Sequence, residues 1–169
     1  MRAMIGGILL ATVAVAFAGG TGERAKATLK NSQGETVGEA TLTDTPSGVL
    51  IHVNLTNAPA GVRAIHIHET GKCEAPFTSA GGHFNPTNKQ HGLENERGMH
   101  AGDMPNINVP PSGVLTVDVL DHAVTLRAGA NSLLDADGSA IVIHDKADDY
   151  RSDPAGNAGD RVICGVVTK

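Results

Sequence analysis

The feature of this chain that most restricts its fold is a series of short segments in which apolar and polar residues alternate. In residues 49–55 the apolar side chains Val49, Ile51, Val53 and Leu55 occupy every second position, which is the period of a half-buried strand. No segment of the mature chain has the period of a helix. We predict eight strands, at residues 24–30, 35–43, 49–55, 62–68, 103–109, 114–120, 140–145 and 162–167.

Turn-forming residues separate these segments. The chain has 169 residues, of which 21 are glycines and 8 are prolines, and so many turns favour an all-β fold over a helical one. Aromatic residues make up only 2% of the chain, so Val, Ile, Leu and Ala must build the core. The predicted architecture is one all-β domain, a sandwich or a flattened barrel.

The first 18 residues have the pattern of an export signal. Arg2 supplies a positive start, residues 5–17 are apolar, and Ala16-Phe17-Ala18 fits a cleavage site with small residues. The apolar run is short for a membrane span; a membrane anchor or a core helix is the alternative. We expect a signal peptide at residues 1–18, a mature domain at residues 19–169 without a membrane span, and a periplasmic or secreted protein.

Cys73 and Cys164 are the two cysteines of the chain. In an oxidising compartment an even pair is typical of a disulfide, and this one would connect the long loop after residue 68 to the last strand. Closing a loop of this length contributes about 4–5 kcal/mol in the chain-entropy model. Two unpaired buried thiols are the alternative, and the wide spacing disfavours a two-cysteine zinc site.

The charge of the chain bears on its partners. The formal net charge is −5 at pH 7, and there is no basic run and no interleaving of basic with aromatic residues. Proteins that bind nucleic acids need a basic surface, so we expect no nucleic-acid partner.

Two histidines, His66 and His68, lie two residues apart in a segment with β-branched character. In a strand such residues point to the same face, so two imidazoles would lie side by side on a rigid ribbon. This arrangement suits a metal better than a core. His52 and His122 lack such a setting, and we expect both on the surface.

The long segment 69–112, rich in glycine, proline and asparagine, carries His83, His91, His100 and Asp103. Three imidazoles and one carboxylate make a closed tetrahedral set that suits zinc. A loop this long without secondary structure is uncommon in a compact domain, and a zinc ion would stabilise it by binding it at four points. A zinc hydrolase is disfavoured because it needs an open zinc position.

The strand histidines predict a second metal. His66, His68 and His144, the last of which ends an apolar run, form an all-nitrogen set if His83 joins them. Such a set fits the tetragonal preference of copper(II). His83 would then bridge the two metals through both ring nitrogens, which is possible only if the ring loses both protons.

Five stretches, in order across residues 24–167, resemble the copper/zinc superoxide dismutase family. They are His66-Ile67-His68-Glu69, Gly82-His83-Phe84-Asn85-Pro86, His100-Ala101-Gly102-Asp103, the run 143–149 and the run 156–166. The resemblance implies an eight-stranded, immunoglobulin-like Greek-key barrel with long metal-binding loops, and an oxidoreductase that uses copper and zinc. The short spacing from His68 to Cys73 is similar to that of bacterial exported members.

The resemblance also implies a role for each site residue. The copper ligands would be His66, His68, His83 and His144, and the zinc ligands His83, His91, His100 and Asp103. Asp148 would accept hydrogen bonds from His66 and His91 and fix their orientation. Arg161 would attract and orient the anion, and Cys73 and Cys164 would form the disulfide.

The implied reaction is the dismutation of superoxide to molecular oxygen and hydrogen peroxide, in antioxidant defence outside the cytoplasm. Copper would alternate between Cu(II) and Cu(I), while zinc holds the bridging His83, which delivers a proton. A non-catalytic metal-binding protein on the same scaffold is the alternative.

Two properties stay open at this point. The loop between His144 and Arg161 is short and has no obvious Glu/Lys cluster, so Lys72 and Lys146 are the candidates for steering the substrate. The family contains both dimers and monomers, so a homodimer is one of two alternatives for the oligomeric state.

Overall fold

The structure, a computed structural model, describes residues 22–169. The export signal and the boundary predicted after residue 18 lie outside these residues. The described part forms one 3-10 helix, Thr78–Ala80, and nine strands: β1 (Arg24–Asn31), β2 (Thr36–Thr45), β3 (Gly48–Leu55), β4 (Gly61–Arg63), β5 (Ile65–His68), β6 (Ile107–Val109), β7 (Leu115–Asp121), β8 (Ala140–His144) and β9 (Arg161–Val166).

Seven of the strands form one curled sheet, in the order β5–β8–β9–β1–β2–β3–β7, and β4 pairs with β6 in a small second sheet. All pairs are antiparallel. Neighbours such as β3 and β7 are far apart in sequence, which requires long Greek-key connections. The all-β prediction is confirmed.

The core lies inside the curled sheet. In β3, Val49, Ile51, Val53 and Leu55 are at most 1% exposed, because the two-residue period of the strand turns all four to the concave side. Burying each such side chain stabilises the fold by about 1.5–3 kcal/mol. The core is built mainly from aliphatic residues, as the composition predicts, with Phe84 at its edge.

The predicted number of eight strands is wrong by one. The segment expected to be a single strand at residues 62–68 changes partner at Ala64, because β4 pairs with β6 and β5 pairs with β8. The strand expected at 103–109 is shorter, since only Ile107–Val109 pairs with a neighbour. Its first residues, Asp103 and Asn106, instead use their side chains to bind the loops.

The long loop covers the free edge of β5. The main-chain N–H of Ile67 donates to the carbonyl of Gly102 at 2.9 Å, and the N–H of Phe84 donates to the carbonyl of Ile67 at 2.8 Å. These bonds accompany two isolated bridges at the edge, which bring His83 beside His68 and Asp103 beside His66. The backbone of β5 therefore sets the position of the loop residues.

A disulfide joins Cys73 to Cys164, with 5.7 Å between their Cα atoms, and confirms the predicted pairing. It attaches the loop that follows β5 to the middle of β9. Within residues 22–169 no helix is long and apolar enough to cross a membrane.

Candidate metal centre

Two adjacent strands supply three buried histidines. His66 and His68 lie in β5, and His144 ends β8, the hydrogen-bonded neighbour of β5. The ring centroids of His66 and His144 are 5.1 Å apart, and those of His68 and His144 are 5.7 Å apart. The three imidazoles therefore form one group at the end of the two strands.

His83 completes this group from the loop. Its ring centroid is 4.0 Å from that of His66 and 5.0 Å from that of His68. One nitrogen from each of the four residues lies within 4.8 Å of the others, so a single metal ion could bind all four: His66, His68, His83 and His144.

A second group of four lies directly beside the first and shares His83. The Oδ1 atom of Asp103 is 2.8 Å from Nδ1 of His83, 3.0 Å from Nδ1 of His91 and 3.4 Å from Nδ1 of His100. The other oxygen of Asp103 accepts the main-chain N–H groups of Gly92 and His100. The possible ligand atoms of this set also lie within 4.8 Å of one another.

Five buried ring nitrogens in the two groups have no hydrogen-bond partner among the described residues: Nδ1 of His66, Nε2 of His68, Nε2 of His83, Nδ1 of His100 and Nε2 of His144. A buried polar atom without a partner is unfavourable by about 1–3 kcal/mol, and a cation would compensate this cost. The donor set fits copper at the four-histidine group and zinc at the group with Asp103.

The opposite nitrogens of the strand histidines are anchored by the protein. Nδ1 of His68 donates to the carbonyl of Gly81 at 3.0 Å, and Nδ1 of His144 lies 3.3 Å from the carbonyl of Gly159. Such contacts fix the tautomer and the orientation of a ligand ring. They leave the Nε2 atoms of both rings free to bind the metal ion that the four-histidine group could hold.

Asp148 connects the two groups. Its Oδ2 atom is 2.7 Å from Nε2 of His66, and its Oδ1 atom is 3.0 Å from Nε2 of His91. Asn106 holds Asp148 in turn, because its side-chain amide bonds both the N–H and the carbonyl of that residue at 2.9 Å. No feature of the sequence indicated Asn106, which lies 42 residues away from its partner.

Burial controls the charge of the imidazoles. It lowers the pKa of His68 to about 2, of His144 to about 3 and of His83 to about 4, so these rings are neutral and able to bind a cation. Burial also opposes protonation of His91, but Asp103 and Asp148 outweigh it and raise the pKa of His91 to about 9. Burial would raise the pKa of Asp103 and of Asp148, but their histidine contacts overcome it and hold both pKa values below the ordinary range; the largest such contribution comes from His100 at Asp103 and from His66 at Asp148.

A surface depression of about 430 Å³ gives access to His68, His83 and His144. Arg161 forms part of its wall, and its guanidinium donates to the carbonyls of Phe77 and Gly81, both at 2.7 Å. Lys72 lines a different cavity, beside the disulfide. Lys146 lies against Gly159 at the edge of the depression.

The two remaining histidines lie on the surface. His52 binds the exposed carboxylate of Asp118 at 2.6 Å, and His122 binds the carbonyl of Ser47 at 2.8 Å.

Asp153 is a site residue that the sequence did not indicate, since its contact with His91 spans 62 residues.

Together the curled antiparallel sheet and the two ligand sets with a common histidine define a β-barrel protein with a binuclear metal centre. The family model for copper/zinc superoxide dismutase matches residues 36–167. The chain belongs to this family. It is therefore an oxidoreductase of the superoxide-dismutating class, and its cofactors are copper and zinc.

Two bacterial relatives and one solved structure support the assignment. The chain is 54% identical over 144 residues to superoxide dismutase [Cu-Zn] 1 of Aquifex aeolicus, a match that covers 83% of this chain and 85% of the relative. It is 43% identical to the superoxide dismutase-like protein YojM of Bacillus subtilis, over 82% and 73% of the two chains. The crystal structure of a SOD-like protein from Bacillus subtilis has a TM-score of 0.82 at 38% identity, over 85% of this chain and 97% of that one.

Proposed function

We propose that the chain dismutates superoxide at the two adjacent ligand sets and does so outside the cytoplasm. The observation that carries this proposal is the shared residue His83, whose ring stands between a four-histidine set and a set closed by Asp103. In this assignment copper is held by His66, His68, His83 and His144. Zinc is held by His83, His91, His100 and Asp103.

When bound, copper supplies one-electron redox chemistry that alternates between Cu(II) and Cu(I), and zinc supplies a fixed positive charge. His83 keeps its position through its Nδ1 side, where Asp103 lies 2.8 Å away. Its Nε2 atom lies on the side of the strand histidines His66, His68 and His144. This is the atom that would hold and release a proton. The ring would give that proton to the forming peroxide, which is general acid catalysis by a positioned histidine.

Arg161 binds and orients the anion. Its guanidinium is fixed by two carbonyl groups in the wall of the depression that leads to His68, His83 and His144. The protein as a whole is acidic, with a formal net charge of −5, so a local positive field must attract superoxide. The depression admits a small anion, and the neighbouring Lys146 is the better-placed of the two lysines for steering.

The disulfide supports an exported protein, because such bonds persist in oxidising compartments. The N-terminal pattern of Arg2, an apolar run and Ala16-Phe17-Ala18 agrees with export. Expression in a bacterium, followed by fractionation and mass spectrometry, tests this part. We expect a periplasmic product that begins at residue 19; an uncleaved cytoplasmic product would contradict it.

Metal content and superoxide-dismutating activity, measured together on the mature protein, test the assignment of the site. We expect one copper and one zinc per chain, and loss of activity in His83→Ala. His52→Ala is the matched control, because it removes a surface histidine and should leave both metals and the activity unchanged. Zinc without copper, and no activity after copper is added, would instead support a non-catalytic metal-binding protein.

A further inference from the structure

Asp153 lies in the short loop between β8 and β9, bonded to one residue of the zinc set and close to a second. Its Oδ1 atom accepts the main-chain N–H of His91 at 2.7 Å. The same oxygen is 4.0 Å from Nε2 of His100. One carboxylate oxygen thus stands between the backbone of one zinc histidine and the ring of another.

The ring of His100 has its outer nitrogen on the side of this carboxylate. Its buried Nδ1 atom has no hydrogen bond and faces Asp103 at 3.4 Å, so it is the nitrogen that would bind the metal. Nε2 must then carry the proton and donate it. Within residues 22–169, Asp153 supplies the one carboxylate oxygen within 4.0 Å of Nε2.

The charge of Asp153 suits the same purpose. Copper(II) and zinc(II) would together bring four positive charges, of which Asp103 and the doubly deprotonated His83 compensate two, and Asp148 adds a negative charge from the side of the His91 ring. A carboxylate that accepts from the outer nitrogen of a ligand ring makes that ring a stronger donor. At 4.0 Å from Nε2, Asp153 would act on His100 in the same direction through its charge.

We propose that Asp153 is a positioning residue of the zinc subsite, which holds the backbone of His91 by a hydrogen bond and places a negative charge 4.0 Å from Nε2 of His100. This inference rests on the proposed zinc set. Asp153 acts through the two histidines and does not bind the metal. Because its side chain is 47% exposed, a substitution there leaves the core intact.

The test is the zinc affinity of the mature, disulfide-bonded chain, measured by competition with a chelator, together with the visible spectrum of the cobalt(II)-substituted protein. We expect Asp153→Ala to weaken zinc by about tenfold or more and to change the cobalt spectrum. Asp153→Asn keeps an acceptor oxygen but loses the charge, so its affinity should lie between those of Asp153→Ala and the wild type.

Asp149→Ala is the matched control. Asp149 caps the same loop by accepting the N–H groups of Arg151 and Ser152, and neither of these is a zinc residue. Asp149→Ala therefore controls for the loss of loop contacts and should leave zinc affinity within about twofold of the wild type. The proposal is overturned if Asp153→Ala binds zinc as the wild type does, or if Asp149→Ala weakens zinc equally. Failure of the wild type itself to bind zinc would overturn the proposed metal centre as well.

Discussion

Arg161 is one side chain whose position depends on a distant loop. The carbonyls of Phe77 and Gly81 hold its guanidinium, and the carbonyl of Gly81 also accepts from His68. The substrate-binding charge and a copper histidine therefore share one anchor. A change in this loop would therefore alter the positions of both side chains.

Replacing Arg161 by alanine should lower the dismutation rate by about tenfold or more and flatten its dependence on salt, because a local positive field is lost. Both metals should stay bound, since the guanidinium of Arg161 bonds the carbonyls of Phe77 and Gly81 and no metal ligand. The measurement is the rate over a series of ionic strengths, with metal content checked. Arg151→Ala is the control, because it removes the same charge from an exposed pair with Glu94. An unchanged salt profile in Arg161→Ala would speak against a role in attraction.

Gly156 determines whether Asp148 can reach His91. A Cβ atom at this position would collide with the carboxylate of Asp148 and lie 2.6 Å from Nε2 of His91, and the backbone has a φ of +63°. Gly156→Ala should therefore displace Asp148 and weaken zinc by about tenfold, as measured by chelator competition. Gly34→Ala is the control for backbone strain, since φ is +82° there and no atom lies within 4 Å of its Cβ. Equal zinc affinity in both variants would contradict this role of Gly156.

The sequence indicated some of these residues and not others. His66 and His68 could be paired from the sequence because strand alternation alone turns both to one face. Asp148 was placed beside His66 and His91 by its resemblance to a family motif. Asn106 and Asp153 act through contacts that join segments 42 and 62 residues apart, and no local pattern encodes such a contact.

The loop that follows β5 is the element that the disulfide stabilises. It runs from the end of β5 to the bond between Cys73 and Cys164 and then supplies the carbonyls of Phe77 and Gly81 to Arg161. Cys164 is buried, whereas Cys73 is partly exposed. The bond thus attaches a surface loop to a strand of the core.

Removing the disulfide should destabilise the fold. We expect the double variant Cys73→Ser/Cys164→Ser to lose about 2–5 kcal/mol of unfolding free energy, because the bond closes a segment of 91 residues in the unfolded chain. Urea unfolding of the metal-free protein measures this loss. Wild-type protein kept in reductant should behave like the variant. If the variant unfolds at the same urea concentration as the oxidised wild type, the bond does not stabilise the fold.

At the level of elements, the sequence predicted the strands best where one face is buried and the other is solvated. Residues 49–55 match β3 to within one residue. The prediction failed at residues 62–68, where the chain changes strand partner at Ala64, and at residues 103–109, where only Ile107–Val109 pairs with a neighbour. A change of strand partner depends on tertiary pairing, which the local alternation of side chains does not contain.

At the level of the whole molecule, a buried carboxylate makes stability depend on pH. Asp121 ends β7 and is 3% exposed. Its Oδ1 atom accepts the N–H of Ala123 at 2.9 Å, but Oδ2 has no partner among the described residues. Burial, with a smaller contribution from the negative charge of Asp103, raises the pKa of Asp121 to about 7, against the opposing effect of Ala123 and His122.

The sign of the effect follows from proton binding. Between about pH 4 and pH 7 the folded chain keeps the proton on Asp121, whereas the unfolded chain has released it. The stabilisation from this group is therefore fully present below about pH 4 and is lost as the pH rises through about 7. The loss is about 4 kcal/mol at the most, because one pKa unit corresponds to about 1.4 kcal/mol.

Asp121→Asn should remove this dependence, since its amide stays neutral and can still accept from Ala123. We expect the unfolding free energy of the variant, relative to that of the wild type, to rise by several kcal/mol, about 4 at most, from pH 4 to pH 8. Urea unfolding of the metal-free, disulfide-bonded chains measures it at each pH. Asp135→Asn, at an exposed loop position, should follow the wild type throughout. Parallel curves for Asp121→Asn and the wild type would show that the pKa of Asp121 is not raised in the folded chain.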